Sequence, residues 1–491
     1  AMFLALMTMA TYVQYVQAPK LNSDSRNART LYREYGTERG PIIVDGESIA
    51  VSTAVEDPYK YQREYKSGSA YAHITGYFST AHNSMTGIER AENGVLGGSD
   101  SALTTQRIQE LISGSHRKGG GVSLTINPAA QKAAIEALGD QRGAVVAMDP
   151  KTGAILAQVS TPSYDPNQVA THDSKSAKAA FNRLTNDKDH PLVNRAIAGD
   201  QYAPGSTFKM LTATAMLENS DLTPDSVVEA PDTWTPPGTN HKIDNPGERS
   251  CGDGSGRVSL RQAFIQSCNT PFAMGGANVG SKKMLAQAKK FGFGTTFETP
   301  QKVTSSRFPE PSGKAALAMD SIGQQDIRVT PLQMAMIGAS IANDGVVMEP
   351  HIVKQTLTSD LDVISTTKPK EFGRAMSEET AKHMQNMMVA DVKSGTGHRA
   401  AISGIEVAGK TGTAEINAYA PPRMVRQLRT RRRSQDCHRR GGRELRQCRM
   451  GWRRRFRGRP DRSKSHASVL GVLMMMQTSR MHNHCERKVT A

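Results

Sequence analysis

Two strand-like stretches bracket a long helical middle. "GAVVAMDPKTGAILAQVS", residues 143–160, sets two apolar, β-branched runs around an Asp149-Pro150-Lys151-Thr152-Gly153 turn, which is the pattern of a hairpin. "GIEVAGKTGTAEI", residues 404–416, reads as a further strand. Between them Ala, Leu and Met fall at core spacing over 206–219, 259–275, 281–291 and 328–343, predicting helices. A hairpin first, helices next and a strand last predict an α+β domain whose sheet is closed by both of its ends. Residues 19–120 mix short strand-like runs with Gly/Ser turns. They predict a small irregular module without catalytic signals. No fixed-period repeat is visible.

Charge is unevenly placed. The whole chain carries a formal +16, yet residues 421–491 hold 21 basic residues against 4 acidic ones, a surplus of +17. The remainder is therefore close to neutral, at −1. With only 5% aromatic residues to stack on bases, the body is not that of a nucleic-acid binder. Residues 1–18 contain no charged residue, but they fall short of the roughly 20 apolar residues of a full membrane span. They are expected to be the remnant of an N-terminal membrane anchor. Of the five cysteines only Cys251 and Cys268 lie in the body, and no CxxC or HExxH spacing suggests a metal. An extracytoplasmic body would let those two pair, and two buried thiols fit equally well. No cofactor is expected.

The chemistry starts at "YAPGSTFKMLTATAMLEN", residues 202–219, where a Pro-Gly turn leads into Ser206 with Lys209 three residues on. At that spacing a helix places both side chains on one face. A desolvated Lys has a lowered pKa and can take the hydroxyl proton, which makes Ser206 a nucleophile. The tetrad alone is weak, because Ser115–Lys118 and Ser365–Lys368 match it too. "QSCNTPF" adds Ser267 and Asn269 two apart, and "AGKTGTAE" adds Lys410, Thr411, Gly412 and Thr413. Each has a rival, Ser25-Arg26-Asn27 and Lys151-Thr152-Gly153, but order separates them. S-x-x-K, then S-x-N, then K-T-G on a late strand is the set used by penicillin-binding proteins and class A β-lactamases.

With these motifs the chain resembles the class B penicillin-binding proteins, and among them the actinobacterial penicillin-binding protein A type. The resemblance spans roughly residues 1–420. "RGPI", "YAHITGYFS" and "TGIERAEN" look like that family's N-terminal module, and "INPAAQKAA", "PSYDPN" and "SIGQQDIRVTPLQMA" like its penicillin-binding domain. It implies a transpeptidase domain of the penicillin-binding-protein/serine β-lactamase kind, an antiparallel sheet with helices on both faces. The implied layout is an anchor over 1–18, a pedestal module over 19–120, the catalytic domain over 121–420 and a tail over 421–491. It further implies Ser206 as the acylated nucleophile, Lys209 as its base, and Ser267 and Asn269 as proton relay and substrate-amide holder. Lys410, Thr411 and Thr413 would take the carboxylate of a D-Ala-D-Ala stem peptide, and the backbone N–H groups of Ser206 and Thr413 the oxyanion. β-Lactams would acylate the same serine. A Cys251–Cys268 disulfide would brace the catalytic rim. Cell-wall synthesis or division proteins would be partners, and the catalytic domain would lie outside the cell membrane. No E-x-x-x-N signature falls in 270–409, which disfavours a β-lactamase. A carboxypeptidase and a non-catalytic penicillin sensor stay as alternatives.

The tail departs from the family. "RTRRRSQDCHRRGGRELRQCRMGWRRRFRGR" has no periodicity. Shifting the frame by one nucleotide at Met424-Val425 forces a Trp codon, and the neighbouring codons then permit an aromatic-rich strand, a turn and a β-branched strand. Residues 421–491 are accordingly expected to be an out-of-frame, disordered tail, leaving the Lys410 strand as a sheet edge.

Overall fold

The computed structural model describes residues 36–104, 112, 118–199, 201–414, 468–469 and 472–475, with isolated positions 2, 3, 7, 9 and 12. By its contacts the chain divides into two units, residues 1–414 with 469–491 and residues 415–468; the second holds one described residue, Ser468. Most of the expected anchor and nearly all of the expected tail lie outside the described residues. Among those described, no helix is long and apolar enough to cross a membrane.

The N-terminal module is built on β1 (Ile42–Val44), β2 (Glu47–Ala54), β3 (Tyr61–Tyr65) and β4 (Val122–Leu124). Asp45 and Gly46 both have positive φ and join β1 to β2 as a two-residue turn, the conformation that an Asp-Gly pair favours. β1 also runs parallel to β4, Ile42 opposite Val122. The sheet is not confined to the module. Val353–Leu357 pairs antiparallel with β4, and Val363–Thr366 pairs with it in turn, giving a six-stranded sheet. β4, just past the expected 120/121 boundary, needs a partner on its far side, and a strand from much later in the chain supplies it, so one sheet takes strands from both sides of that boundary. At the opposite edge Asn167, from "PSYDPN", caps β3 by accepting from Tyr65 N (2.9 Å) and donating through Nδ2 to Tyr65 O (2.9 Å).

An ion cluster joins β3 to Arg39 of "RGPI" and Glu89 of "TGIERAEN". Glu89 accepts from Arg39 Nε (3.0 Å), Arg63 Nε (2.6 Å) and the Tyr65 hydroxyl (3.2 Å), with the ionic side chains almost fully buried. Burial alone would push the Glu89 carboxyl up, but the two guanidinium groups outweigh it and hold it below its ordinary value.

The hairpin forms as expected from β5 (Gly143–Met148) and β6 (Ile155–Thr161), with Gly143 opposite Thr161. Asp149 closes its turn by accepting from Lys151 N (2.7 Å), and Gly153 takes the positive φ. Helices fill the middle around α1 (Lys209–Asn219), nine of whose residues are buried. They include α2 (Leu260–Ile265), α3 (Thr270–Val279), α4 (Pro331–Ala342) and α5 (Glu378–Ser394), and the expected helix over 281–291 forms as Ser281–Lys290. α4 is buried on nearly every side, as its apolar sequence requires. One continuous core runs from Ile42 and Val44 through Phe208 to Ala408.

β7 (Val407–Lys410) is buried throughout and pairs antiparallel with β8 (Val472–Met475), Lys410 opposite Val472. The expectation of unpaired backbone is thus corrected on one side only: among the described residues β7 has β8 as its single neighbour and remains an edge of a two-stranded ladder. An unpaired strand presents a row of free N–H and C=O groups, and "VLMM" is an apolar, extended run able to satisfy them. The β5–β6 hairpin and the β7–β8 pair are separate two-stranded ladders, and β5 is half-exposed along its whole length. α4 packs against both β5 and β8.

Candidate active site

Ser206 sits on a turn that the backbone makes expensive to build any other way. Gly205 has φ +54°, and a Cβ there would lie 2.4 Å from Thr413 O. Its N–H donates to Gly323 O (2.9 Å), and Gly323 in turn has φ +77°. The expected helix at 206–219 begins instead as a 3-10 turn, Gly205–Phe208, that becomes α-helical at Lys209. A 3-10 turn eclipses residues three apart, which brings Lys209 over Ser206. Thr207 Oγ1 donates to Pro204 O (2.7 Å), and Phe208 anchors the turn edge-on against Phe293 and Phe308.

Lys209 is fully buried, 0% exposed. Its Nζ lies 3.0 Å from Ser206 Oγ, 2.7 Å from Ser267 O and 2.8 Å from Asn269 Oδ1. Burial, and after it the nearby charge of Lys410, push the amine far below its ordinary value. A neutral amine has two N–H donors and one lone pair. The two carbonyl oxygens take the donors, so the lone pair is left facing the Ser206 hydroxyl.

The middle motif is held by a break in the helix. The expected helix over 259–275 is split into α2 and α3 by Ser267, whose φ is +59°. That conformation turns the Ser267 carbonyl toward Lys209. Asn269 is fixed from its far side: Nδ2 donates to Asp244 O (2.7 Å) and its N–H to Asn245 Oδ1 (2.8 Å). Cys251 and Cys268 are joined by a disulfide, tying the 244–251 segment to this turn.

Lys410 is also buried, 2% exposed, and burial lowers its amine to about 8, opposed by Asp391. Its Nζ donates to Thr411 O (3.2 Å) and lies 5.5 Å above the Phe264 ring. Gly412 permits the strand to touch the nucleophile turn, since a Cβ there would lie 2.8 Å from Thr207 N. Thr413 is exposed, whereas the Thr411 hydroxyl is 2.6 Å from that of Thr396. The two rival K-T-G and S-x-x-K copies within the described residues are elsewhere: Lys151 is in the hairpin turn 3.3 Å from Asp344, and the Ser365 hydroxyl bonds that of Thr356 (2.7 Å).

A serine and a proton-poor lysine, an asparagine, and a second buried lysine thus converge from three motifs. Residues 143–425 match the penicillin-binding protein transpeptidase domain, and residues 39–122 the penicillin-binding protein A dimerisation domain. The chain belongs to the penicillin-binding protein transpeptidase family. It is 42% identical over 416 residues to peptidoglycan D,D-transpeptidase PbpA of Mycolicibacterium smegmatis, covering 84% of each chain. It is 40% identical to the Mycobacterium tuberculosis PbpA, covering 86% of this chain and 87% of that one. Among solved structures, the ceftriaxone acyl-enzyme complex of penicillin-binding protein A from M. tuberculosis superposes with a TM-score of 0.76 at 39% identity, covering 79% of this chain and 87% of that one.

Within this family fold, sequence reading missed the supporting residues. Gly323 and Asn245 carry only turn signals, in "SIGQQ" and "DNPGE". Asp391 carries none.

Proposed function

We propose that this chain is a serine D,D-transpeptidase that cross-links peptidoglycan stem peptides through an acyl-enzyme on Ser206. The observation that carries this reading is the buried amine of Lys209, 3.0 Å from the Ser206 hydroxyl with its N–H groups already committed to carbonyls. Ser206 Oγ bonds to the carbonyl carbon of the penultimate D-Ala while its proton passes to Lys209. The C–N bond to the terminal D-Ala then breaks, and the departing amine takes a proton relayed through Lys209 and Ser267. An amine from a neighbouring stem attacks the ester and restores the Ser206 hydroxyl. Lys410 faces the terminal carboxylate with Thr413, and Asn269 holds the substrate amide. The N–H groups of Ser206 and Thr413 stabilise the oxyanion. Thr411 and Gly412 shape this strand.

The Cys251–Cys268 disulfide suits an oxidising compartment, and the uncharged residues 1–18 suit a membrane tether. Both support a catalytic region outside the cell membrane, alongside cell-wall synthesis or division proteins.

The test is intact-protein mass after incubation with a penicillin. A single adduct that is absent from Ser206→Ala is expected. No adduct on the parent chain, or an equal adduct on Ser206→Ala, overturns the assignment. A D-Ala-D-Ala stem peptide offered with and without an amine acceptor then separates the alternatives. Aminolysis product marks a transpeptidase, hydrolysis alone a carboxypeptidase, and a stable adduct with no turnover a sensor.

A further inference from the structure

Behind the K-T-G strand, α5 buries an acid that no motif contains. Asp391 is 0% exposed, and its Oδ2 lies 3.8 Å from Lys410 Nζ. That is too long for a hydrogen bond, and Oδ2 has no hydrogen-bond partner. The other oxygen is well held: Oδ1 accepts from Thr396 Oγ1 (3.0 Å) and from Gly397 N (3.2 Å). Gly395 makes room for it, since a Cβ there would come within 2.4 Å of Oδ1. Because Thr396 gives its one hydroxyl proton to Asp391, its oxygen is free to accept from Thr411 at 2.6 Å.

We infer that Asp391 is a positioning residue for carboxylate recognition, a buried counter-ion that keeps Lys410 charged without taking its N–H groups and that is itself held in place by Thr396 and Gly397. The inference rests on the proposed role of Lys410 toward the substrate carboxylate. Its logic is distance. Burial pushes the Asp391 carboxyl up, opposed by Lys410, Thr396 and Gly397; ionised at 3.8 Å it favours the ammonium, yet among the described residues only Thr411 O takes a hydrogen bond from Lys410. The remaining donors are left for a ligand. Two consequences follow from the neighbouring charges. Lys410 lowers the Lys209 amine, so keeping Lys410 cationic also keeps Lys209 a base. The other charged groups near α5 and this strand are at the surface: Lys393 pairs with Glu406 (3.1 Å), and His398 contacts Gly395 O. They do not replace Asp391 inside.

The test is the second-order rate constant for acylation of Ser206 in the full chain, measured against pH with a penicillin and with its methyl ester. Asp391→Asn keeps the shape and removes the charge. Without it the Lys410 ammonium is lost at lower pH, so the alkaline limb for the free acid moves down by about one unit or more. The ester, which has no carboxylate to bind, loses less. An unmoved alkaline limb, or equal losses for acid and ester, overturns the inference. If Asp391→Asn does not fold, Thr396→Val takes its place. That change removes a donor that holds Asp391, so the free acid is expected to slow more than the ester, and equal slowing overturns the inference. Failure of the parent chain to acylate at Ser206 is a separate result and overturns the nucleophile assignment instead.

Discussion

Ser206 is only as reactive as the amine above it. A Lys that stayed charged at neutral pH would hold the hydroxyl without taking its proton. Burial removes that outcome, because an ammonium with 0% exposure has lost its hydration and is offered only partial compensation by two carbonyls. Lys209→Arg keeps the donors and the positive charge but cannot be deprotonated. Acylation by a penicillin is therefore expected to fall by about a hundred- to ten-thousand-fold, with the fold intact by circular dichroism. A rate within tenfold of the parent would show that another group takes the proton. At this scale the sequence was informative. The motifs single out Ser206, Lys209, Ser267, Asn269 and Lys410 as candidates, since short motifs encode side-chain chemistry directly, and the fold gathers Ser206, Ser267 and Asn269 around Lys209. Gly205 was legible only as part of a turn, and its real constraint, the backbone of Thr413 against it, comes from a strand some two hundred residues later.

At the scale of elements, the motifs work because irregular backbone interrupts regular structure where they sit. The 3-10 turn before α1 and the left-handed Ser267 between α2 and α3 each aim a group at Lys209 that a continuous helix would aim elsewhere. Periodicity over 259–275 could not reveal the break, because Ala263, Phe264, Phe272 and Ala273 keep core spacing on both sides of it. The disulfide is the covalent brace of that break, closing a separation of 17 residues. Replacing Cys251 and Cys268 by Ser is expected to cost about 2–4 kcal/mol in chemical denaturation. It should also slow acylation more than a surface substitution does, since the Asn269 turn loosens. Unchanged acylation with lowered stability would confine the bond to folding alone.

For the whole molecule, the two modules share one sheet and one core, so the pedestal is not an appendage. Strands at 353–366 complete the N-terminal sheet, and the Glu89 cluster joins β3 to Arg39. Glu89→Gln leaves Arg39 and Arg63 buried with no charge to meet them, and a loss of about 3–5 kcal/mol is expected. The sign with pH is set by the lowered carboxyl. Glu89 stabilises above the ordinary carboxylate value, near 4.3, and that contribution disappears as pH falls through its value in the fold. The difference between the parent chain and Glu89→Gln, measured by denaturation, should therefore shrink in acid. A constant difference across that range would assign the cost to packing.

Motif order and hairpin chemistry were enough to determine the class of fold, the candidate residues and the likeness to a transpeptidase family, because each is written in residue types a few positions apart. Long-range pairing was not. Which strand completes β4, which segment covers the Lys410 strand, and which acid stands behind Lys410 depend on residues brought together by burial of apolar surface. Asp391 looks like any helix-surface acid in the sequence; only the packing of α5 against β7 gives it a lysine to face.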